Sequence, residues 1–150
     1  MMKNLLFIPL MLVTSLIYGQ DCYTVKNVES LAKIENINPK RFTLGVKQIT
    51  EEIISEKYKI CEDGDSISVV IESIEAPTTG ISIGPFEKKR KVTIVTVKLI
   101  ISNKEYIGVG ESKTDVKSTF IELQDENIPF EKSAFSAALK KSLQDAVNKF

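Results

Sequence analysis

Apolar residues recur along the chain in two rhythms, and the changes of rhythm mark its elements. The first stretch has no rhythm. Leu5 to Tyr18 (LLFIPLMLVTSLIY) is almost wholly apolar. About 14 residues is short of the roughly 20 that a helix needs to span a bilayer. Lys3 precedes the run, and Gly19 follows it with Ile17 two positions before, an arrangement that suits a signal peptidase. This predicts a signal peptide over residues 1–19, with a cut after Gln20 as the near alternative, and a single domain over 20–150.

Residues 23–33 (YTVKNVESLAK) carry Val25, Val28 and Leu31 and read as a strand. Asn36 to Pro39 is a turn, with Pro39 suited to the first position of a helix. Phe42, Val46, Ile49 and Ile53 then define one helical face over Lys40–Lys57. Gly45 inside that helix is unfavourable, so close packing is its expected reason. After the turn Glu62-Asp63-Gly64-Asp65, the run Ser66–Ala76 (SISVVIESIEA) alternates strictly and predicts a strand. Residues 77–90, with Pro77, Gly80, Gly84 and Pro85, read as a connection. Lys91–Ser102 (KVTIVTVKLIIS) is the strongest strand, apolar on both faces as a central strand would be. A tight reversal at Asn103-Lys104 leads into Tyr106–Gly110, whose glycines fall at bulge-like positions. Pro129 can open a second helix, with Phe135, Leu139, Leu143, Ala146, Val147 and Phe150 on one face. The order β-α-β-β-β-α predicts an α+β two-layer sandwich: a mixed sheet of about four strands with two helices on one face.

Composition narrows the chemistry. The 150 residues hold 20 Lys+Arg against 20 Asp+Glu, no His and no Trp. Balanced charge argues against a nucleic-acid binder. Without histidine there is no His-based triad and no His-ligated zinc or haem. Loss of residues 1–19 would leave 19 basic and 20 acidic residues, a net charge of −1. In an exported chain the pair Cys22 and Cys61 reads first as a disulfide, with two free thiols as the alternative. Parallel strands joined by a helix begin at the same end of a sheet, which brings the two cysteines together. Gln20-Asp21 ahead of Cys22 does not suit lipid attachment, so a periplasmic or secreted chain is expected rather than a lipid-anchored one.

Catalytic constellations are sparse. Ser30-Leu31-Ala32-Lys33 matches S-x-x-K but lacks its partner motifs. Gly108-Val109-Gly110 lacks the third glycine and following helix of a dinucleotide loop. Glu62, Asp63 and Asp65 do not follow a calcium-loop spacing and read as a solvated turn. No metal or cofactor is expected. The segment 80–91 stands out instead: Ile81, Ile83 and Phe86 lie beside Lys88, Lys89 and Arg90, and apolar groups ringed by charge often mark contact sites.

The helix ending in Y-K-I-C-E-D-G-D (Tyr58–Asp65), the strand S-V-V-I-E-S-I (Ser68–Ile74), the hairpin running through L-I-I-S-N-K-E-Y-I-G-V-G to Gly110 and the helix A-L-K-K-S-L-Q-D-A-V (Ala138–Val147) follow a shared pattern. It resembles the periplasmic α/β domain of curli-secretion-type and penicillin-binding-protein-activator-type envelope lipoproteins. The resemblance implies a non-enzymatic accessory domain of the cell envelope, with no catalytic residues to carry over. The expected function is therefore an exported binding module that meets an envelope protein or an anionic membrane surface through residues 80–91. The alternatives are a small secreted hydrolase using paired carboxylates, or a structural domain that self-associates.

Overall fold

The strongest strand signal of the sequence, Lys91–Ser102, falls in the longest strand among the described residues, and the rest is arranged around it. The computed structural model describes residues 21–34, 37–83, 86–116 and 132–150, with the side chains of 78–89, 115, 116 and 132 left aside. The signal peptide expected over residues 1–19 lies outside the described residues.

The elements in chain order are β1 (Cys22–Ser30), α1 (Pro39–Ser55), β2 (Lys59–Ile60), β3 (Asp65–Glu75), β4 (Thr78–Ile83), β5 (Phe86–Ile101), β6 (Lys104–Val116) and α2 (Lys132–Lys149). One mixed sheet holds all six strands found among the described residues. β1 runs parallel to β2 and to β3, while β5 is antiparallel to β3, β4 and β6. β6 pairs with β5 along Lys89–Ile101. β3 pairs with Ile94–Ile101 and β4 with Phe86–Lys91, both on the opposite side of β5. β4 thus carries on the line of β3 after a break at Ala76-Pro77, and the sheet is five strands wide.

The expected four strands are β1, β3, β5 and β6. The two-residue β2 is too short to show a period of its own. Residues 77–90, expected as a connection, instead form β4 and the first part of β5. The Pro77 carbonyl accepts from the Val92 amide (3.0 Å), so pairing with β5 is maintained across the break.

Alternation decides which face is buried. Val25, Ile67, Val69, Ile71, Val95, Val97, Leu99 and Ile101 point to one side and are almost wholly buried. Both helices lie on that side. α1 contributes Val46, Ile53 and Ile54, and α2 contributes Ala138, Leu139, Leu143, Ala146 and Val147. Thr50 is buried among them without penalty, because its hydroxyl donates to the Val46 carbonyl (2.8 Å). The start of α1 is set by Asn38, whose side chain accepts from the amides of Lys40 and Arg41, with Pro39 just inside.

The disulfide Cys22–Cys61 is formed, with the Cα atoms 6.0 Å apart. Cys61 follows β2 directly and donates its amide to the Tyr23 carbonyl (3.0 Å). Tyr23, Tyr58, Tyr106 and Phe150 cluster near this end, with ring centroids 4.9–5.3 Å apart. The hairpin between β5 and β6 turns through Ser102 and Asn103, both with positive φ (49° and 63°), as the tight turns of twisted hairpins require.

Two glycine expectations are corrected. β5 and β6 stay in register throughout, so Gly108 and Gly110 are not bulge positions. They face α2, which approaches so closely that a Cβ at Gly108 would overlap the Ser142 carbonyl oxygen, and one at Gly110 the Ala138 carbonyl oxygen. Ala138, Ser142 and Ala146 form the matching stripe of small residues on the helix. Gly45 has the opposite setting: nothing lies within 4 Å of where its Cβ would be. It therefore has no packing reason, and Gly45→Ala is expected to stabilise the fold by about 1 kcal/mol. Urea denaturation would show this as a raised midpoint at unchanged slope.

Candidate binding surfaces

The expected contact segment is built on backbone pairing. The β4–β5 register sets Ile83 opposite Phe86, Ile81 opposite Lys88, Gly80 opposite Lys89 and Thr79 opposite Arg90. On the other side of β5, Lys89, Arg90 and Lys91 pair with Val116, Asp115 and Thr114 of β6. Residues 78–80, 89–91 and 114–116 thus make a three-stranded ribbon, and 81–83 with 86–88 extend it as a two-stranded pair. β4 packs against β5 and has no substantial packing against either helix. Of the six residues singled out, Ile81, Ile83, Phe86, Lys88 and Arg90 fall in alternate rows of this pairing, and Lys89 falls in an intervening row. Arg90 is exposed. The side chains of Ile81, Ile83, Phe86, Lys88 and Lys89 lie outside the described residues.

A second surface is the sheet face away from the helices. Val70, Ile94 and Ile100 are half-buried there, while Ile107 and Val109 are 44% and 52% exposed. Lys98 stands among them and bridges Glu72 (3.0 Å) and Glu105 (3.3 Å). Its hydrogen bonds to those two carboxylates raise its pKa above the usual lysine value. Sequence periodicity reads the apolar character of both faces of β5 as the mark of a covered strand, so it does not distinguish a covered face from an uncovered one.

The outer edge of β6 is occupied by side chains of α2. Lys149 donates to the Ile107 carbonyl (2.8 Å), Asp145 accepts from the Val109 amide (3.1 Å), and Lys141 donates to the Glu111 carbonyl (2.8 Å). Residues 141, 145 and 149 stand four apart, so one helical face meets one strand edge. Lys140, on the neighbouring face of α2, forms a solvent-exposed pair with Glu52 of α1 (2.7 Å). The signal for this edge was present as the Lys-Asp-Lys spacing. Its meaning required knowing that β6 lies at the sheet edge beneath α2.

Asp145 is held by two donors, one from its own helix and one from β6. The hydrogen bond from Lys149 (2.8 Å), and then that from the Val109 amide, hold its pKa below the usual carboxylate range. Its folded pKa is lower than its unfolded one. The stability it contributes is therefore full above the ordinary aspartate value near 3.9 and is lost as pH falls through the folded value. Asp145→Asn is expected to lower stability at pH 7 and to flatten the acid limb of the stability curve. Urea midpoints at pH 7 and pH 3 would test this, and an unchanged acid limb would speak against the assignment.

Among the described residues, no three His, Cys, Asp or Glu side chains come together to hold a metal ion. Glu62, Asp63 and Asp65 are exposed or nearly so, at the turn into β3. No helix among the described residues is long and apolar enough to cross a membrane.

No family model matches the chain, and no curated protein matches it. Solved structures do. A minor lipoprotein from Acinetobacter baumannii aligns with 83% of this chain and 91% of its own at 8% identity and a TM-score of 0.46. A putative lipoprotein from Caulobacter crescentus aligns with 81% of this chain and 82% of its own at 11% identity and a TM-score of 0.33. A hypothetical protein from Chlamydia trachomatis aligns with 87% of this chain and 93% of its own at 11% identity and a TM-score of 0.38. None of the three carries the name of the curli-secretion or penicillin-binding-protein-activator families.

Proposed function

We propose that this chain is an exported, non-catalytic binding domain that meets a protein partner of the cell envelope through the ribbon of residues 78–91. The observation that carries the reading is the ribbon itself. It sets the apolar residues Ile81, Ile83 and Phe86 in the same alternate rows as Lys88 and Arg90, and its β4 strand has no substantial packing against either helix. The disulfide supports export, since such bonds persist in oxidising compartments such as the periplasm or the extracellular space.

Successive rows of a strand pair face opposite sides, so alternate rows share one. The double variant Ile81→Asp/Phe86→Asp is therefore expected to lose the partner, while Lys89→Glu in the intervening row retains most of it. Affinity capture from an envelope extract, with quantified recovery of a single partner, tests this at equal melting temperatures. Equal recovery by wild type and the double variant would remove the ribbon from consideration. Co-sedimentation with phosphatidylglycerol vesicles, lost in the same variant, would replace the protein partner with an anionic membrane surface.

A further inference from the structure

Two edges of the sheet are treated differently. Side chains of α2 occupy the outer edge of β6, whereas β1 is covered over only part of its length. β2 pairs with β1 at Cys22 and Tyr23 and goes no further. From Asn27 to Ser30, β1 keeps regular register with Ser68–Ile71 of β3, and no strand among the described residues lies on its other side there. Leu31 donates its amide to the Ile71 carbonyl (2.9 Å). Successive residues of a strand aim their backbone groups to opposite sides, so those of Val28 and Ser30 turn outward, away from β3. Edges are commonly blunted by a bulge or a lysine. β1 has both at the register shift between Val25 and Asn27, where Lys26 sits, and neither from Asn27 to Ser30.

Beside this stretch a cleft of about 290 Å³ opens between β1 and the start of α1. Val28, Ile34, Ile37 and Phe42 give it apolar walls, and Glu29 and Ser30 give it polar ones. Phe42 is fixed against Phe135 of α2, with ring centroids 5.7 Å apart. Clefts that enclose a whole drug-sized ligand run from roughly 300 to 1,000 Å³. This one suits a side chain whose parent backbone lies outside it, along the edge. In that mode main-chain hydrogen bonds to the edge supply affinity and the cleft reads a side chain.

We propose that Asn27–Ser30 accepts a strand from an extended peptide segment of another protein, continuing the line of β2, with one large apolar side chain in the cleft and a basic residue opposite Glu29. Four residues at about 3.3 Å each give a footprint of about 13 Å. Glu29 is the one charged residue among the described ones lining the cleft, and opposite charges across a strand pair are favourable where like charges are not. A second copy of β1 does not suit as the guest. Its own Val28 already packs on its own core and leaves no apolar side chain for the cleft.

The probe is a set of end-blocked hexapeptides of alternating Thr and Val with one central Leu or Phe and one Lys. It is titrated into the disulfide-intact chain and followed by calorimetry and amide hydrogen exchange. Saturable binding at one per chain is expected, with slowed exchange at Val28 and Ser30 and no change at Glu29, whose amide already faces β3. The same peptides N-methylated at alternate backbone positions keep their side chains but cannot pair, and should not bind. Ser30→Pro removes an outward donor at the exposed end of β1 and keeps the Leu31–Ile71 bond, so it should weaken binding about tenfold. Thr43→Trp narrows the cleft from an exposed helix position where folding is not at stake, and should abolish the preference for Leu or Phe over Ala at the centre. Glu29→Lys should reverse the preference for Lys over Glu in the peptide. Absence of saturable binding, equal binding of the N-methylated set, protection elsewhere than Val28 and Ser30, or binding indifferent to both Ser30→Pro and Thr43→Trp would each overturn the proposal. So would protection of those two amides that rises with protein concentration in the absence of peptide, which would make a second copy the occupant.

Discussion

A single methyl group added at Gly110 is expected to cost about 3 kcal/mol or more, and the pair Gly108→Ala/Gly110→Ala to leave little folded protein. Overpacking in a well-packed core usually costs about 1–3 kcal/mol, because neighbouring side chains can turn aside. Here they cannot. The atoms in the way are backbone: the carbonyl oxygens of Ala138 and Ser142, and the amide nitrogen of Ala146 at 2.6 Å. The only relief is to lift α2 off the sheet, which would expose Leu139, Leu143 and Val147, all now buried. Total stabilities of about 5–15 kcal/mol leave little margin for that. Urea unfolding of Gly110→Ala would measure the loss. A near-neutral result would mean that α2 can shift without penalty. Gly45→Ala, expected to change stability in the opposite direction, is the matched control.

Removing the disulfide ranks next. Replacing Cys22 and Cys61 by serine opens a loop whose ends are 39 residues apart in sequence. Constraint of the unfolded chain by a loop of that length is worth about 4 kcal/mol in the chain-entropy model. The bond ties the first residue of β1 to the end of β2, a strand that pairs with β1 at two positions. The serine variant should unfold at much lower urea concentration, and reductant should lower the wild type to match it while leaving the variant unchanged. A loss below about 1 kcal/mol would show that β1 and β2 hold without the bond.

Much of the fold was legible in the residues. Phe42, Val46, Ile49 and Ile53 marked the buried stripe of α1, and the alternation through Ile67, Val69 and Ile71 marked β3. The cysteine pair followed from the parallel arrangement of the first strands. What could not be read shares one cause: it depends on what lies opposite. Gly108 and Gly110 look like bulge residues until α2 is placed above them. Gly45 looks like a packing glycine until the space beside it is seen to be empty. Pro77 suggested a loop because proline cannot donate to a ladder, yet here it contributes its carbonyl to one, and β4 continues past it. Of the candidate sites, the ribbon was visible as an apolar-basic sequence. The cover of the β6 edge was not, since Lys141, Asp145 and Lys149 gain that role only once α2 lies beside the strand.

The three α2 side chains along β6 also bear on the order in which the protein can form safely. α2 follows every strand among the described residues, and 15 residues separate it from β6. A chain that has emerged as far as Val116 holds all the described strands but not the groups that occupy the outer edge of β6. Until α2 docks, the carbonyls of Ile107 and Glu111 and the amide of Val109 are open to a strand from another molecule. Ile107 and Val109 sit on that same edge. The hazard is thus confined to the interval between sheet formation and helix docking. Slow docking would lengthen that interval, so aggregation during folding should track the docking rate of α2 more closely than the stability of the finished fold.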